Sequence, residues 1–436
     1  MQSIISRAPV TADQNVQIHS LAPSRNTLRH HRVTNDSDSR SRQPDQHVFE
    51  PVRTVRLLDT LVRGHLLQEA GQRRFRFHDL LRDYANEQAF ATEPEQAATA
   101  RRRLLEWYLR TATAAGRVRS PHRSLVQPVV VDPGNALADF ATASDAARWC
   151  EVELVNLAAA TMQATSLGLH GVAFGLPLVL TGYLYRRNPW STWMTPLHAS
   201  LDRARHHDDL PAQAWILNNM GNGHLDQRRF DEAMRCFGEE LEIRRRLDDH
   251  SGQGWSHIGL GRVRQARGRH REAAEHYRLA QTAFEQLGER WAWAIAKSYI
   301  ADVHRAVGEH DLALDGLTQA VTVLHELGDR QSESCALDKL GDVHRDLGDL
   351  PGTVTYLERA LAAGNAAVDL WGRAALQGKL GDVHHELGHD DEARSAWTET
   401  VQLFEALGDA RARGIRARLV ELDAESAPVA CRECRT

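Results

Sequence analysis

Small, bulky and apolar positions recur every forty residues over the carboxyl-terminal half of the chain. Two series of small residues, one bulky series and one series that ends each unit keep this spacing. Because four series share one register, this half is predicted to contain five copies of one structural unit. The series are Gly221, Gly261, Ala301, Gly341 and Gly381; Ala233, Ala273, Ala313, Thr353 and Ala393; Phe237, Tyr277, Leu317, Leu357 and Trp397; and Leu247, Leu287, Leu327, Ala367 and Leu407.

Each unit predicts two antiparallel helices joined by a short turn. The small residues let the helices approach closely, and the bulky series fills the space beside them. Glycines after the first helix predict a left-handed C-cap, at Gly268, Gly308, Gly348 and Gly388. The pattern therefore predicts an all-α array over residues 210–408, and residues 409–423 are predicted to form a capping helix.

The flanking segments have weaker patterns. Residues 1–48 and 424–436 are polar without a sustained period, so both are predicted to be disordered. Apolar residues at helical spacing, then two short runs around a glycine turn, predict a helix, a β-hairpin and a second helix over residues 57–89.

Residues 93–209 predict helices. Within them, Ala158–Tyr185 carries no charge, and its part Leu167–Tyr185 is long enough to span a membrane but contains His170, Pro177, Thr181 and several glycines. Polar groups are costly in hydrocarbon, so this stretch is interpreted as a buried helix pair and not as a membrane span.

Composition and charge narrow the class of protein. The 436 residues are 42% hydrophobic and 25% charged, as in globular proteins. Of 53 basic residues only Lys297, Lys339 and Lys379 are lysines, which suggests coding bias in a G+C-rich genome. Five cysteines and the lack of a secretion leader favour the cytoplasm.

The charge is unevenly distributed along the chain. Residues 51–120 carry 13 arginines against 8 acidic residues, a net charge of +5. Residues 210–423 carry 26 basic and 35 acidic residues, a net charge of −9. The array is therefore predicted not to bind nucleic acid, whose phosphates are also negative.

The repeat resembles the tetratricopeptide family in a forty-residue form. The family pattern of a large residue, Leu-Gly, a ring, Ala and an aromatic residue is met by Trp215, Met220-Gly221, His224, Ala233 and Phe237. The resemblance implies a right-handed superhelical solenoid whose concave groove binds a peptide or protein. Later units carry a histidine at the ring position, namely His304, His344 and His384.

The amino-terminal part resembles the end of the winged-helix module in AfsR/SARP-type regulators, which are signal-transducing ATPases with numerous domains. The strings Leu57–Glu69 and Arg74–Ala85 carry the likeness, which continues through Trp149–Leu157. It implies a partial winged helix at 49–92 and a linker of degenerate repeats at 93–209. The DNA-binding and ATPase domains of that family are not found, and no G-x-x-x-x-G-K-[ST] motif occurs.

Phe77-His78-Asp79 matches the nucleotide-sensing motif of that family, in which the histidine contacts the diphosphate of bound ADP. Without a P-loop there is no backbone cradle for phosphates. His78 is therefore interpreted as vestigial, with a nucleotide role only if another chain supplies the P-loop.

The spacing of the candidate metal-ligating and catalytic residues does not match a known metal or catalytic site. The ring-position histidines lie one per repeat, about 10 Å apart, which is too far for one tetrahedral site. Cys431 and Cys434 form a single pair in a polar tail, whereas a zinc ribbon needs two pairs. We expect no enzyme activity, no cofactor and no metal.

The groove is the candidate functional surface. In the geometry of the family, the first helices of the last three units present a ladder of carboxylates, for which a basic protein or peptide is the expected partner. The alternative is a solvated face with local i, i+3 Asp–Arg pairs. The predicted partner-binding residues are Asn218, Asn222, Arg262, Asp302, Arg305, Asp338, Asp342, Arg345 and Asp382.

Three functions are compatible with the sequence. The first is a non-enzymatic interaction and sensor module related to AfsR/SARP-type regulators. The second is a regulator that contacts DNA through the basic segment, with Arg73, Arg74, Arg76 and Arg101–Arg103 as the phosphate-binding face. The third is a regulator fragment without independent function. The oligomeric state and the identity of the partner stay open.

Overall fold

The structure, a computed structural model, describes residues 17–19, 51–69, 74–119, 140–187, 189–364, 370–407 and 409–426. The chain divides into two compact units, one of Met1–Trp107 with Glu153–Ala160 and one of Tyr108–Val152 with Thr161–Thr436. Most of the two segments predicted to be disordered lies outside the described residues, and so do Arg73, Cys431 and Cys434.

The first unit contains a three-stranded antiparallel sheet packed against a helix. Strand β3 (Arg74–Phe77) lies between β1 (Gln17–His19) and β2 (Leu67–Glu69). The helices are α1 (Pro51–Arg63), α2 (Asp79–Thr92) and the first part of α3 (Pro94–Arg119). The core is formed by Leu58, Leu67 and Phe75.

The helix, hairpin and helix predicted at residues 57–89 are therefore observed as α1, β2–β3 and α2. Strand β1 was not predicted, because it lies in a polar segment. Its backbone pairs with β3 over only three residues, and such pairing leaves no periodic pattern in the sequence.

The second unit begins with helices that precede the predicted array. They are α4 (Ala143–Val152), the end of α5 (Leu154–Ser166), α6 (His170–Arg187) and α7 (Trp190–His206). Helices α6 and α7 begin forty residues before the first two helices of the array, so the forty-residue spacing extends into the region predicted to hold degenerate repeats.

The uncharged stretch Leu167–Tyr185 contains a turn at Gly168 and most of α6. Val172, Leu176, Val179 and Leu180 of α6 are buried. No helix within the described part of the chain is long and apolar enough to cross a membrane.

Five helical hairpins follow within the described residues, in the register of the repeat. They pack in sequence, each hairpin against the next. Their helices are α8 (Leu210–Asp226) and α9 (Phe230–Arg246); α10 (His250–Ala266) and α11 (His270–Gln286); α12 (Arg290–Ala306) and α13 (His310–Glu326); α14 (Arg330–Asp346) and α15 (Leu350–Gly364); and α16 (Leu370–Glu386) and α17 (Asp390–Ala406).

Contacts between small and bulky residues hold each hairpin together, as the sequence predicts. A Cβ atom added at Gly261 would lie 2.5 Å from the ring of Tyr277, and one added at Gly221 would lie 2.7 Å from the ring of Phe237. Both rings are fully buried. In the third hairpin the bulky position holds Leu317, which is smaller than Phe or Tyr. The position of the small series can therefore hold Ala301 in place of glycine.

The turns of the hairpins require a left-handed residue. Glycine supplies it in the later repeats, with φ between 73° and 83° at Gly268, Gly308, Gly348 and Gly388. In the first hairpin Arg228 holds this conformation, with φ 58°. A side chain with a Cβ atom is strained there, since the Cβ crowds the following carbonyl oxygen.

Helix α18 (Ala412–Ser426) follows the last hairpin, close to the predicted capping helix at 409–423. It packs through Leu422 and Ile415 on Trp397 of α17. Glu421 of α18 stands forty residues after Gly381, at the position of the small series. A large residue at this position prevents a further second helix from packing closely against α18. Val420 beside it is 66% exposed, so α18 leaves this face uncovered by the described residues.

We expect Gly261→Ala to destabilise the array by about 1–3 kcal/mol, because the new methyl group overpacks against Tyr277. Adding Tyr277→Leu reproduces the Ala301–Leu317 combination of the third hairpin and should recover part of that loss. Urea unfolding of the two single variants and the double variant measures the coupling. Strictly additive effects would contradict this account of the small series.

We expect Arg228→Gly to raise the free energy of unfolding by about 0.5–1 kcal/mol, because glycine adopts a positive φ without strain. Arg228→Ala keeps the Cβ atom and is the matched control, with no expected gain. The urea midpoint measures both. Equal stabilisation by alanine and glycine would show that the Arg228 side chain, and not the backbone conformation, is responsible.

Candidate functional site

Polar side chains on the first helices of the five hairpins contact one another from repeat to repeat, and this set is here called the groove wall. It consists of the predicted partner-binding residues on α8, α10, α12, α14 and α16, together with Gln265, Lys339 and Lys379 on the same helix faces. Its side chains bond from one repeat to the next. Arg262 Nη1 donates to Asn222 Oδ1 at 2.6 Å, and Arg305 Nη1 lies 2.9 Å from Asp346 Oδ2.

The predicted carboxylate ladder is present, but its members are half-buried and paired. Asp302 accepts from Gln265 Nε2 at 2.8 Å and lies 3.6 Å from Arg305 Nε and 4.0 Å from Lys339 Nζ. Asp382 accepts from Trp397 Nε1 at 2.9 Å and pairs with Arg418. A neighbouring helix supplies a partner to each of these carboxylates, so none of them is freely exposed.

Asp338 and Asp342 share one cation, Lys379, from the following repeat. Lys379 Nζ lies 2.6 Å from Asp338 Oδ1 and 2.8 Å from Asp342 Oδ1. Burial raises the pKa of Asp338, and Lys379 acts in the opposite direction. Burial acts to lower the pKa of Lys379, but the two carboxylates outweigh it and raise that pKa, so the lysine is a permanent cation.

The groove-wall arginines pair mainly across repeats. Arg345 pairs with Glu386, just as Arg305 pairs with Asp346. The local i, i+3 alternative is observed for Asp302 and Arg305, whereas Asp342 pairs with Lys379. The wall therefore contains both signs of charge, and ion pairs link its neighbouring helices.

Asn218 and Asn222 do not present open amides. Their exposed fractions are 8% and 6%. Asn222 Nδ2 donates to the carbonyl oxygen of Asn218 at 2.9 Å, and Asn218 Nδ2 donates to Glu240 Oε2 at 3.1 Å. Both amides are buried, and Asn222 accepts a hydrogen bond from Arg262, so a contact of these two residues with a partner stays a prediction.

A buried ion pair lies below these asparagines. Glu240 is fully buried, and its Oε1 lies 3.7 Å from Arg244 Nε. Arg244 also pairs with Asp249 at 2.5 Å and lies over the ring of Trp215. Burial raises the pKa of Glu240 to about 7, although Arg244 and Asn218 act against this shift.

The buried carboxylate of Glu240 was not predicted, although its position in the repeat indicates burial. Glu240 occupies the position at which later repeats carry small residues that are fully buried. A carboxylate in such a series must be buried with partners. The later residues are Ala280, Ala320, Ala360 and Thr400.

Two of the ring-position histidines contact an acidic residue in the turn of their own hairpin. His304 Nδ1 lies 2.5 Å from Glu309 Oε2, and His344 Nδ1 lies 2.8 Å from Asp349 Oδ2. Each acidic partner stands five residues after its histidine. Among the described residues, no three His, Cys, Asp or Glu side chains are arranged to hold a metal ion.

One histidine pair was not predicted. His257 Nδ1 of α10 lies 3.1 Å from His276 Nδ1 of α11, within the second hairpin. Burial lowers the pKa of His257 to about 4, and its neighbour His276 adds to that shift. The pair is therefore uncharged at neutral pH.

In the first unit, His78 is exposed at the N-cap of α2, and its side chain makes no capping bond. Several arginines of the basic segment already have partners inside this unit. Arg74 pairs with the buried carboxylate of Glu153, and Arg102 lies 2.9 Å from Glu106. Arg101 lies over the ring of Phe90 at 4.3 Å. These contacts reduce the charge available for phosphate.

Comparison with known proteins agrees with this architecture. A family model for the tetratricopeptide repeat matches residues 212–286. The regulatory protein AfsR of Streptomyces griseus is 27% identical over 262 residues, which cover 60% of this chain and 26% of that protein. AfsR of Streptomyces coelicolor is 25% identical over 280 residues, covering 54% of this chain and 28% of that protein.

This chain thus spans about a quarter of the length of the curated relatives that it matches. A crystal structure from Pyrococcus horikoshii, of a signal transduction ATPase with numerous domains that has a tetratricopeptide repeat sensor, shares the fold. Its TM-score is 0.51 at 13% identity, with 86% of this chain and 48% of that chain covered. The chain is therefore similar to the tetratricopeptide repeat over residues 212–286 and to the regulatory protein AfsR over 54–60% of its length.

The raised pKa of Glu240 gives a testable pH dependence. Between about pH 4.5 and pH 7, the carboxyl group of Glu240 is protonated in the folded state and ionised in the unfolded state. The contribution of Glu240 to stability is thus fully present below pH 4.5 and is lost as the pH rises to about 7. We expect the stability of Glu240→Gln relative to wild type to increase by about 1 kcal/mol per pH unit across this window.

Urea unfolding of the two proteins at several pH values between 5 and 8 measures the difference. The matched control is Glu239→Gln, since Glu239 is exposed on the same helix and pairs with Arg205. A stability difference between Glu240→Gln and wild type that stays constant with pH would show that Glu240 is ionised throughout.

Proposed function

We propose that the hairpin array is a non-enzymatic module that binds a protein or peptide along its groove wall and thereby receives a signal in an AfsR-like regulator. Tetratricopeptide repeats are interaction modules, and the relatives that match this chain are named regulatory proteins. The observation that carries the proposal is the groove wall itself, which presents half-exposed charged side chains on first helices of consecutive repeats.

We further propose that the partner is preferentially basic. Residues 210–423 carry a net charge of −9, which attracts cations and raises their rate of association. At Asp338 and Asp342, two carboxylates contact one ammonium group, that of Lys379, and remain partly exposed. Each contact is partly solvated and contributes about 1 kcal/mol or less, and salt weakens it.

The proposal predicts that the full chain binds Arg- and Lys-rich peptides in preference to acidic ones. The double variant Asp302→Asn, Asp342→Asn should lower the affinity for basic peptides by about tenfold, since two carboxylates lose their charge. The matched control is Asp311→Asn, Asp315→Asn, which removes two exposed charges from the second helix α13. Fluorescence anisotropy at low and physiological salt measures both.

Equal affinity for basic and acidic peptides would contradict the basic preference. An effect of the α13 control as large as that of the groove-wall variant would place binding elsewhere. Steeply salt-dependent binding of duplex DNA by the full chain would favour the alternative of a DNA-contacting regulator.

A further inference from the structure

The three lysines of the chain have an unusual distribution. The chain has 53 basic residues, and all but three are arginines. Lys297, Lys339 and Lys379 lie on α12, α14 and α16, the first helices of three consecutive hairpins. Lys339 and Lys379 are one repeat period apart and stand at the same position of their helices. In a chain that otherwise uses arginine, lysine at this position indicates a need for an ammonium group.

Lysine and arginine differ in how firmly they hold carboxylates. Arginine presents a rigid fork that binds a carboxylate bidentately, whereas lysine places a compact charge on a flexible four-carbon chain. The groove wall uses arginine for the pairs Arg305–Asp346 and Arg345–Glu386. It uses lysine between Asp338 and Asp342, where the two carboxylates hold one ammonium group.

The Lys379 side chain is partly exposed. It is 34% exposed, and the two carboxylate side chains are each 29% exposed. Part of the lysine side chain and part of each carboxylate side chain are therefore open to solvent. A basic side chain of a bound segment would reach the same two carboxylates through this exposed surface.

We propose that Lys379 is an internal occupant of the place at which a basic side chain of the partner binds, so that the two compete for Asp338 and Asp342. This inference rests on the proposed function and adds a residue that determines specificity. In the free protein Lys379 neutralises part of the wall and excludes weakly basic segments. A partner that carries Lys or Arg at the matching position replaces the ammonium group, and Lys379 moves into solvent.

The proposal predicts effects of opposite sign at one position. Lys379→Ala removes the competitor and should tighten the binding of a basic peptide about fivefold, the value of one partly exposed ion pair. Lys379→Arg holds the two carboxylates more firmly and should weaken binding by a similar factor. Asp338→Asn removes a carboxylate and should also weaken binding. If Lys379 were an ordinary contact residue, alanine would weaken binding or leave it unchanged.

The matched control is Lys297→Ala on α12. Lys297 Nζ lies 5.9 Å from the ring centroid of Trp293, and Lys297 is two positions removed from the column of Lys339 and Lys379. Its removal changes the net charge by the same amount as Lys379→Ala, so it isolates the general electrostatic effect. Tightening by both variants to the same degree would overturn the proposal.

A second measurement needs no peptide. In Lys379→Ala the two carboxylates lose the one ammonium group that contacts both. A contact of about 1 kcal/mol, the fivefold effect above, is half-saturated only at roughly 0.2 M ligand, so n-butylammonium chloride at about 0.5 M should raise the melting temperature of this variant more than that of wild type. Sodium chloride at the same ionic strength is the control for screening. The gain should vanish in the triple variant Lys379→Ala, Asp338→Asn, Asp342→Asn. If Lys379→Ala does not fold, Lys379→Met replaces it in the peptide titration.

The outcomes separate this inference from the proposed function. If wild type prefers basic peptides but Lys379→Ala binds them no more tightly, the proposed role of Lys379 is wrong and the proposed interaction module is unaffected. Failure of wild type and of Lys379→Ala to bind any basic peptide contradicts the proposed partner class. Absence of a specific n-butylammonium effect shows that the two carboxylates do not accept an external ammonium group, and this also overturns the proposal.

Discussion

The architecture depends on the close approach of the two helices in each hairpin. A glycine or alanine on the first helix faces a bulky residue on the second, as Gly261 faces Tyr277 and Gly381 faces Trp397. Such a contact leaves no room for a larger side chain on the first helix, and it fixes the rotation of that helix about its own axis. Because the rotation is the same in every repeat, the opposite faces of the first helices align and form the groove wall.

The groove wall has two roles that are physically linked. Its charged side chains join neighbouring repeats, since Arg305, Arg345 and Lys379 each bond to an acid on an adjacent first helix. The same side chains are those that a bound segment would contact. Binding that replaces an ion pair between repeats therefore changes how tightly those repeats are held, and solenoids transmit such changes through nearest-neighbour interfaces. Through this link the proposed module would convert binding into a change in the packing of its repeats.

The two ends of the groove wall differ in what holds them. At the amino-terminal end, Asn218 and Asn222 are buried over Glu240 and Arg244, and a network of hydrogen bonds positions Arg262. At the carboxyl-terminal end, the pairs are half-exposed, and α18 supplies Arg418 to Asp382. Buried charge is costly to disturb, whereas half-exposed pairs exchange with solvent and ligands. This contrast is why the proposed partner contact lies toward the carboxyl-terminal repeats.

The sequence by itself determined the array, because the repeat arises from local rules. Small and bulky residues at forty-residue spacing, and glycine at the turns, specify hairpins through contacts within one unit, and Gly268 and Phe237 could be read without a structure. Tertiary structure alone decided which groove residues are accessible, since Asn218 and Asp302 look alike on a helical face but differ in burial. It also decided the partners, because Lys379 and Asp338 lie 41 residues apart. Packing between repeats determines such pairs, and the helical periodicity of the sequence does not reveal which side chains pair.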